Sequence, residues 1–346
     1  MLRKTTALTI VLFLFAFSVA HALTVGDYVK MGSYNNAPIL WRCVLIDENG
    51  PLLLSDKIIT LKPFDAKGDH GDSNPYTTNY GSNVWETSNL HDWLNAQDTV
   101  EWSDLCPPSV DRVWNGYNHY NTEKGFISGD NFSALELKAI KTFQNDKMFL
   151  LDDTQLAKLS QNSGILGSAY HIGKPTKQAV EASNYKADEL SENRNWYSWL
   201  RTPYANETTP SFARVLSSEG QIGVQNAYYG YVGVRPAYYI DLTSIYMDDG
   251  DGTSMNPFVI KEIENDVTFR SASLENVPQF PIGGSGFSFS ATYKNVTSDE
   301  QDINLIIAIK KDHKLENIYL LPKKFAQDEE YQFETTITIP SNYEKK

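Results

Sequence analysis

Between Val267 and Ile339 the chain alternates apolar and polar residues with a period of two. The runs are Val267 to Leu274, Gly286 to Tyr293, Ile303 to Ile309 and Tyr331 to Ile339. In the second of these, Phe287, Phe289, Ala291 and Tyr293 fall on one face. A helix cannot bury such a pattern on one side, whereas a strand does so automatically. The alternation is preceded by Asp248, Asp249, Gly250, Asp251 and Gly252, with Pro257 beyond, a polar stretch that reads as a linker. With 346 residues there is enough chain for two domains. The expected division is a leader at 1–22, a first domain at 23–246, a closing strand or linker at 247–262 and a β-sandwich at 263–346.

The leader rests on its own pattern. Arg3 and Lys4 precede an apolar run from Ala7 to Ala20, broken only by Thr9 and Ser18. Ala20-His21-Ala22 then has the small-x-small pattern of a signal peptidase site, which places the mature start at Leu23. The run is short against the ~20 apolar residues of a spanning helix, and no second segment offers one. The expected location is secreted or extracellular, free or associated with the cell surface, with no membrane insertion after cleavage. No cysteine follows the run, so a lipid anchor is not expected. In an oxidising compartment Cys43 and Cys106 are candidates for a disulfide worth about 4 kcal/mol in the chain-entropy model. The alternative is two separate buried thiols. Thirty basic residues against 43 acidic ones leave a formal charge of -13, the wrong sign for a phosphate-backbone binder, so no nucleic-acid partner is expected.

Downstream of Leu23, Asp27 to Met31 and Ile39 to Leu45 read as strands, and Glu48-Asn49-Gly50 turns the second into Pro51-Leu52-Leu53-Leu54. Residues 66–83 are polar and read as a loop. Helices are expected after Thr87 or Ser88, after Ser133 with Glu136 completing a capping box, and after Asp153. Phe149 to Leu151 reads as a short strand. Further strands are expected over Ser198 to Arg201, Phe212 to Leu216, Gln221 to Val224 and Val234 to Ile240, with Ser218-Glu219-Gly220 turning the middle pair.

Three of these late segments form one ordered pattern: Trp199-Leu200-Arg201-Thr202-Pro203, Phe212-Ala213-Arg214-Val215 and Gly233-Val234-Arg235-Pro236-Ala237. With Trp41-Arg42-Cys43-Val44-Leu45, Leu53-Leu54-Ser55 and Ser88-Asn89-Leu90-His91-Asp92-Trp93-Leu94-Asn95, the set resembles a bacterial extracellular domain family with a WLR[ST]P…GVRPA signature, over roughly residues 25 to 245. That family looks like a relative of the C-type-lectin-like fold, in the branch of the formylglycine-generating enzymes. The resemblance implies an α+β fold: a C-type-lectin-like domain with a small sheet and two or three helices. The tail resembles an Ig-like module of bacterial surface proteins, and the resemblance implies a last strand that is missing or supplied by a partner beyond Ile339-Pro340.

Chemistry-bearing motifs are sparse. There is no HExxH, GxSxG, P-loop or GxGxxG, and His70, His91, His119, His171 and His313 lack ligand spacing. Formylglycine-generating enzymes need late cysteines, and none follows Cys106. Asp249, Asp251 and Thr253 fail as an EF-hand loop, because Ser254 and Ile260 stand at the positions of its Gly and Glu. No metal and no cofactor are expected. Arg201, Arg214 and Arg235, with Trp199, read as structural members of the signature, each buried charge needing a partner. The aromatic residues are the better candidates for contact with a ligand. Trp196, Tyr197 and Tyr204 are joined by Tyr228, Tyr229, Tyr231, Tyr238 and Tyr239, and flat rings with polar tips suit sugar faces and protein surfaces. Tyr228 and Tyr229 lead because they sit in a turn. The expected function is a secreted, non-catalytic protein that binds a glycan or an extracellular protein. The rivals are an extracellular hydrolase or modifying enzyme using carboxylates, and a purely architectural surface module.

Overall fold

The computed structural model describes residues 8–16, 23–103, 105–167, 169–205, 208–243, 245–262, 267–275, 286–295, 301–311 and 314–338. They divide into one unit at His21–Glu262 and another that joins Met1–Ala20 to Ile263–Lys346. The first unit contains β2 (Tyr28–Tyr34), β3 (Ala37–Asp47), β4 (Gly50–Ser55), β5 (Thr60–Leu61), β6 (Ile140–Lys141), β7 (Ser198–Pro203), β8 (Phe212–Leu216), β9 (Ile222–Asn226), β10 (Gly233–Val234), β11 (Ala237–Ile240), β12 (Ile245–Asp248) and β13 (Phe258–Glu262). Its helices are α1 (Pro75–Tyr80), α2 (Asn89–Asn95), α3 (Ala134–Ala139), α4 (Asp153–Gln161), α5 (Ser163–Leu166) and α6 (Lys177–Ala182). The second unit holds β1 (Leu8–Ala16), β14 (Val267–Glu275), β15 (Gly286–Asn295), β16 (Gln301–Lys311), β17 (Lys314–Phe325) and β18 (Glu330–Thr338).

The first unit is built on two mixed sheets. The seven-stranded one runs β12-β13-β2-β3-β4-β11-β6, with β13 parallel to β2. The five-stranded one runs β5-β10-β7-β8-β9, with β10 parallel to β7. Alternation in β3 buries Ile39, Trp41 and Cys43, and Trp41 meets the Tyr238 ring of β11 edge-on at 4.8 Å. Ser88 caps α2 by accepting the backbone N–H of His91. Ser133 and Glu136 form the capping box of α3. The cap of α4 lies one residue earlier than expected: Asp152, reciprocated by Gln155, leaves Asp153 inside the first turn. Phe149 to Leu151 forms no strand; Phe149 makes a single bridge to Ala237. The 66–83 loop encloses α1, capped by Asn74. The acidic stretch near 250 lies within the first unit, where it turns β12 into β13.

The expected α+β, C-type-lectin-like fold with an Ig-like sandwich is corrected by this architecture. Strand accounts for 35% and helix for 17%, in mixed sheets. The physical reason lies in helix length. The caps were legible, but α1 to α6 run only four to nine residues, so they punctuate a β framework rather than form a layer. In the second unit the described strands make two antiparallel sheets, β1-β16-β17 and β14-β15-β18. The first includes β1 as an edge strand, with Leu8 opposite Lys311 and Ala16 opposite Ile303. Phe287, Phe289, Ala291 and Tyr293 are all buried. Phe325 of β17 meets Phe333 of β18 at 5.9 Å. The expected cleavage site at residues 20–22 and His313 lie outside the described residues. Among the described residues no helix is long and apolar enough to cross a membrane.

Candidate functional site: an aromatic belt

The turn after β9 carries the chain from Asn226 to Val232. Its backbone is fixed from several directions. Tyr228 donates its N–H to the Tyr80 carbonyl at 3.0 Å, and Trp114 donates to the Tyr228 carbonyl at 3.0 Å. Asn118 Nδ2 donates to the Gly230 carbonyl at 2.6 Å, and Trp196 Nε1 to that of Tyr231 at 2.8 Å. At Gly230 an added Cβ would lie 1.9 Å from the Tyr117 carbonyl oxygen, so only glycine fits. Asn115 and Asn118, at φ 49° and 53°, give the opposing loop its left-handed bends.

These constraints bring together rings from four separate segments. Tyr228 and Tyr229 stack at 5.2 Å and 29°, and Tyr229 and Tyr231 at 5.2 Å and 28°. Tyr80 meets Tyr228 at 5.6 Å. Trp114 touches Tyr229 at 5.2 Å and Tyr231 at 5.6 Å. Tyr185 meets Tyr231 at 5.1 Å and Tyr117 at 5.2 Å. Tyr80 is 38% exposed, and Trp114, Tyr117, Tyr185, Tyr228, Tyr229 and Tyr231 are half-buried, so the belt reaches solvent along its length. Amides edge it: Asn226 Nδ2 donates to Tyr229 Oη at 3.4 Å, and Tyr231 Oη donates to Gln225 Oε1 at 3.2 Å. Burial, then the neighbouring phenols, raise the pKa of Tyr228 and Tyr231, so both hydroxyls are neutral donors at physiological pH.

Of the residues singled out from sequence, Tyr228, Tyr229 and Tyr231 lie in the belt and Trp196 supports it from beneath. Trp196 is 8% exposed and packs with Ile58, Leu61, Ala179 and Leu190. Tyr197 is half-buried with its ring 5.8 Å from that of Trp196. Tyr204 stands apart and packs on Phe212 at 6.4 Å. Tyr238 and Tyr239 are core residues, with hydroxyls bonded to Met31 Sδ and Asp47 Oδ2. Sequence reasoning missed Tyr80, Trp114, Tyr117 and Tyr185. An aromatic pair in a polar turn, Trp114-Asn115-Gly116-Tyr117, was the available signal.

A family model described as a domain of unknown function, DUF6273, matches residues 49–242, more than half the chain. The protein belongs to the DUF6273 family. No curated protein and no solved structure matches it, and no C-type-lectin, formylglycine-generating or Ig-like family does so. The belt and all three late signature segments lie inside the DUF6273 region.

The three signature arginines of this DUF6273 domain are all partnered. Arg201 of β7 pairs with Asp152 and lies over the Phe149 ring at 4.8 Å. Arg214 of β8 pairs with Asp153 at 2.8 Å. Arg235 is buried and donates to the carbonyls of Ser55, Asp56, Tyr170 and His171 at 2.8–3.1 Å. Trp199, 1% exposed, donates its indole N–H to the Lys62 carbonyl at 2.8 Å. The disulfide expected between Cys43 and Cys106 is not formed. Cys43 is buried in β3 with its thiol toward the Leu45 carbonyl, while Cys106 packs over Gly68 with its thiol 3.4 Å from the Asp69 carbonyl. Burial pushes the Cys43 thiol up to about 12, which keeps it protonated and inert.

Proposed function

We propose that this DUF6273 protein is an exported, non-catalytic binding protein whose aromatic belt takes the flat faces of a glycan. The observation that carries the reading is the belt itself: rings from four segments, held by backbone hydrogen bonds, partly open to solvent and edged by amides. An aromatic face gives a sugar's C–H surface a rigid apolar platform at little entropic cost, and neighbouring amides and phenols supply hydroxyl contacts. Packing alone would not leave this many large rings half-exposed in one patch. The leader-like N-terminus supports an extracellular setting for such a ligand.

Trp114 provides the test. Soluble β-1,4-linked glucose and N-acetylglucosamine hexamers are titrated into the protein while tryptophan fluorescence is followed. A saturable change that is lost in Trp114→Phe supports the reading. Saturation with neither sugar, together with retention of an extracellular protein in a pull-down that Trp114→Ala abolishes, would replace the glycan with a protein partner.

A further inference from the structure

A separate cavity of about 360 Å³ lies between α4, α5 and the tip of the β8–β9 hairpin. Leu156, Leu159, Leu166 and Ile222 form its apolar walls. Asp153 and Tyr170 also line it, and Asp153 Oδ1 and Tyr170 Oη are buried with no hydrogen-bond partner among the described residues. Native proteins seldom leave such atoms unbonded, because their desolvation is not repaid. The other Asp153 oxygen is held by Arg214 at 2.8 Å, so the carboxylate charge is already balanced.

The walls are braced by the arginines of the signature. Arg201 and Arg214 pin the first turn of α4 through Asp152 and Asp153. Arg235 holds the carbonyls of Tyr170 and His171. The Tyr170 ring lies 4.5 Å from the guanidinium of Arg42 and 4.9 Å from that of Arg235. At the rim, Gly220 sits at φ 85°, a backbone conformation that favours glycine, and a Cβ there would meet the His171 ring, whose side chain would have to shift. Burial and the nearby Arg235 lower the His171 pKa, so the lining histidine is uncharged near neutral pH.

We propose that this cavity binds a small neutral molecule with an apolar body and a hydroxyl, of the phenol or alcohol class, hydrogen-bonded to Asp153 Oδ1 and Tyr170 Oη. Its volume falls in the lower part of the ~300–1,000 Å³ range of small-molecule sites, and a ~150 Å³ apolar cavity already admits benzene. The proposal is independent of the glycan reading, which concerns a different set of residues.

The test titrates the full-length protein with p-cresol and, as a match lacking the hydroxyl, toluene, using isothermal calorimetry. p-Cresol is expected to bind about tenfold more tightly than toluene, the contribution of paired buried polar groups. Tyr170→Phe removes only an unpartnered hydroxyl, so the variant folds; it should cut the p-cresol preference to less than threefold and leave toluene unchanged. Ala157→Phe, on the cavity face of α4, should abolish both. The proposal is overturned if neither probe binds the wild type, if the two bind equally, or if Ala157→Phe binds them as the wild type does.

Discussion

His91 is held between two carboxylates. Its Nε2 lies 2.9 Å from Asp146 Oδ1 and its Nδ1 3.4 Å from Asp92 Oδ1. Burial alone lowers the pKa, but hydrogen bonds and charge from Asp146 and Asp92 outweigh it and raise the imidazole to about 9. A folded-state pKa above the unfolded value of ~6.5 gives stability that is complete below pH ~6.5 and is lost as pH rises through about 9. After allowance for solvent screening this amounts to about 1–2 kcal/mol. Urea unfolding of wild type and His91→Gln at pH 6 and pH 10 checks it. The wild-type advantage should be present at pH 6 and shrink by that amount at pH 10; an equal difference at both values would contradict the assignment. At this scale the sequence was a poor guide. His91 showed no ligand spacing, and the residues that charge it lie next door and 55 positions away.

The elements show which local signals carry through and which do not. Capping chemistry is short-range, so Ser88, Ser133 with Glu136, and the Asp152/Asp153 step were legible to within a residue. Helix length was not, because it is set by where tertiary contacts end each turn. At the start of α4, Asp152 caps the helix and pairs with Arg201, whose side chain is 10% exposed. Asp152→Ala removes the cap and strands a nearly buried charge, at an expected cost of about 2–4 kcal/mol in urea unfolding. Asp152→Asn keeps the cap and should cost roughly half as much. In the belt turn, Gly230→Ala forces a Cβ to within 1.9 Å of the Tyr117 carbonyl oxygen. It should cost about 1–3 kcal/mol and change the near-ultraviolet tyrosine signal. Strand alternation is uninformative where both faces are covered. Tyr238 and Tyr239 of β11 are adjacent and both buried, so period two separated no inner face from an outer one.

The whole molecule divides where the residue pattern changes, near 262, and the sandwich-like alternation of β15 was plain from sequence. Two things were invisible there. One is the pairing of Leu8–Ala16 with β16, a contact almost 300 residues apart in the chain. The other is the belt, whose rings come from near positions 80, 115, 185 and 230 and meet only through folding. Export is tested at this scale: intact mass of protein recovered outside the cytoplasm of a bacterial host should place the first residue at Leu23, which removes β1 with the leader, and a retained Met1 would contradict the leader. The central claim is tested most directly by a glycan array probed with the purified protein and with a Tyr228→Ala/Tyr229→Ala double variant matched for folding by circular dichroism. The account predicts a defined set of glycans bound by the wild type and lost in the variant. Equal binding by both proteins, or no binding by the wild type with or without calcium, would contradict it.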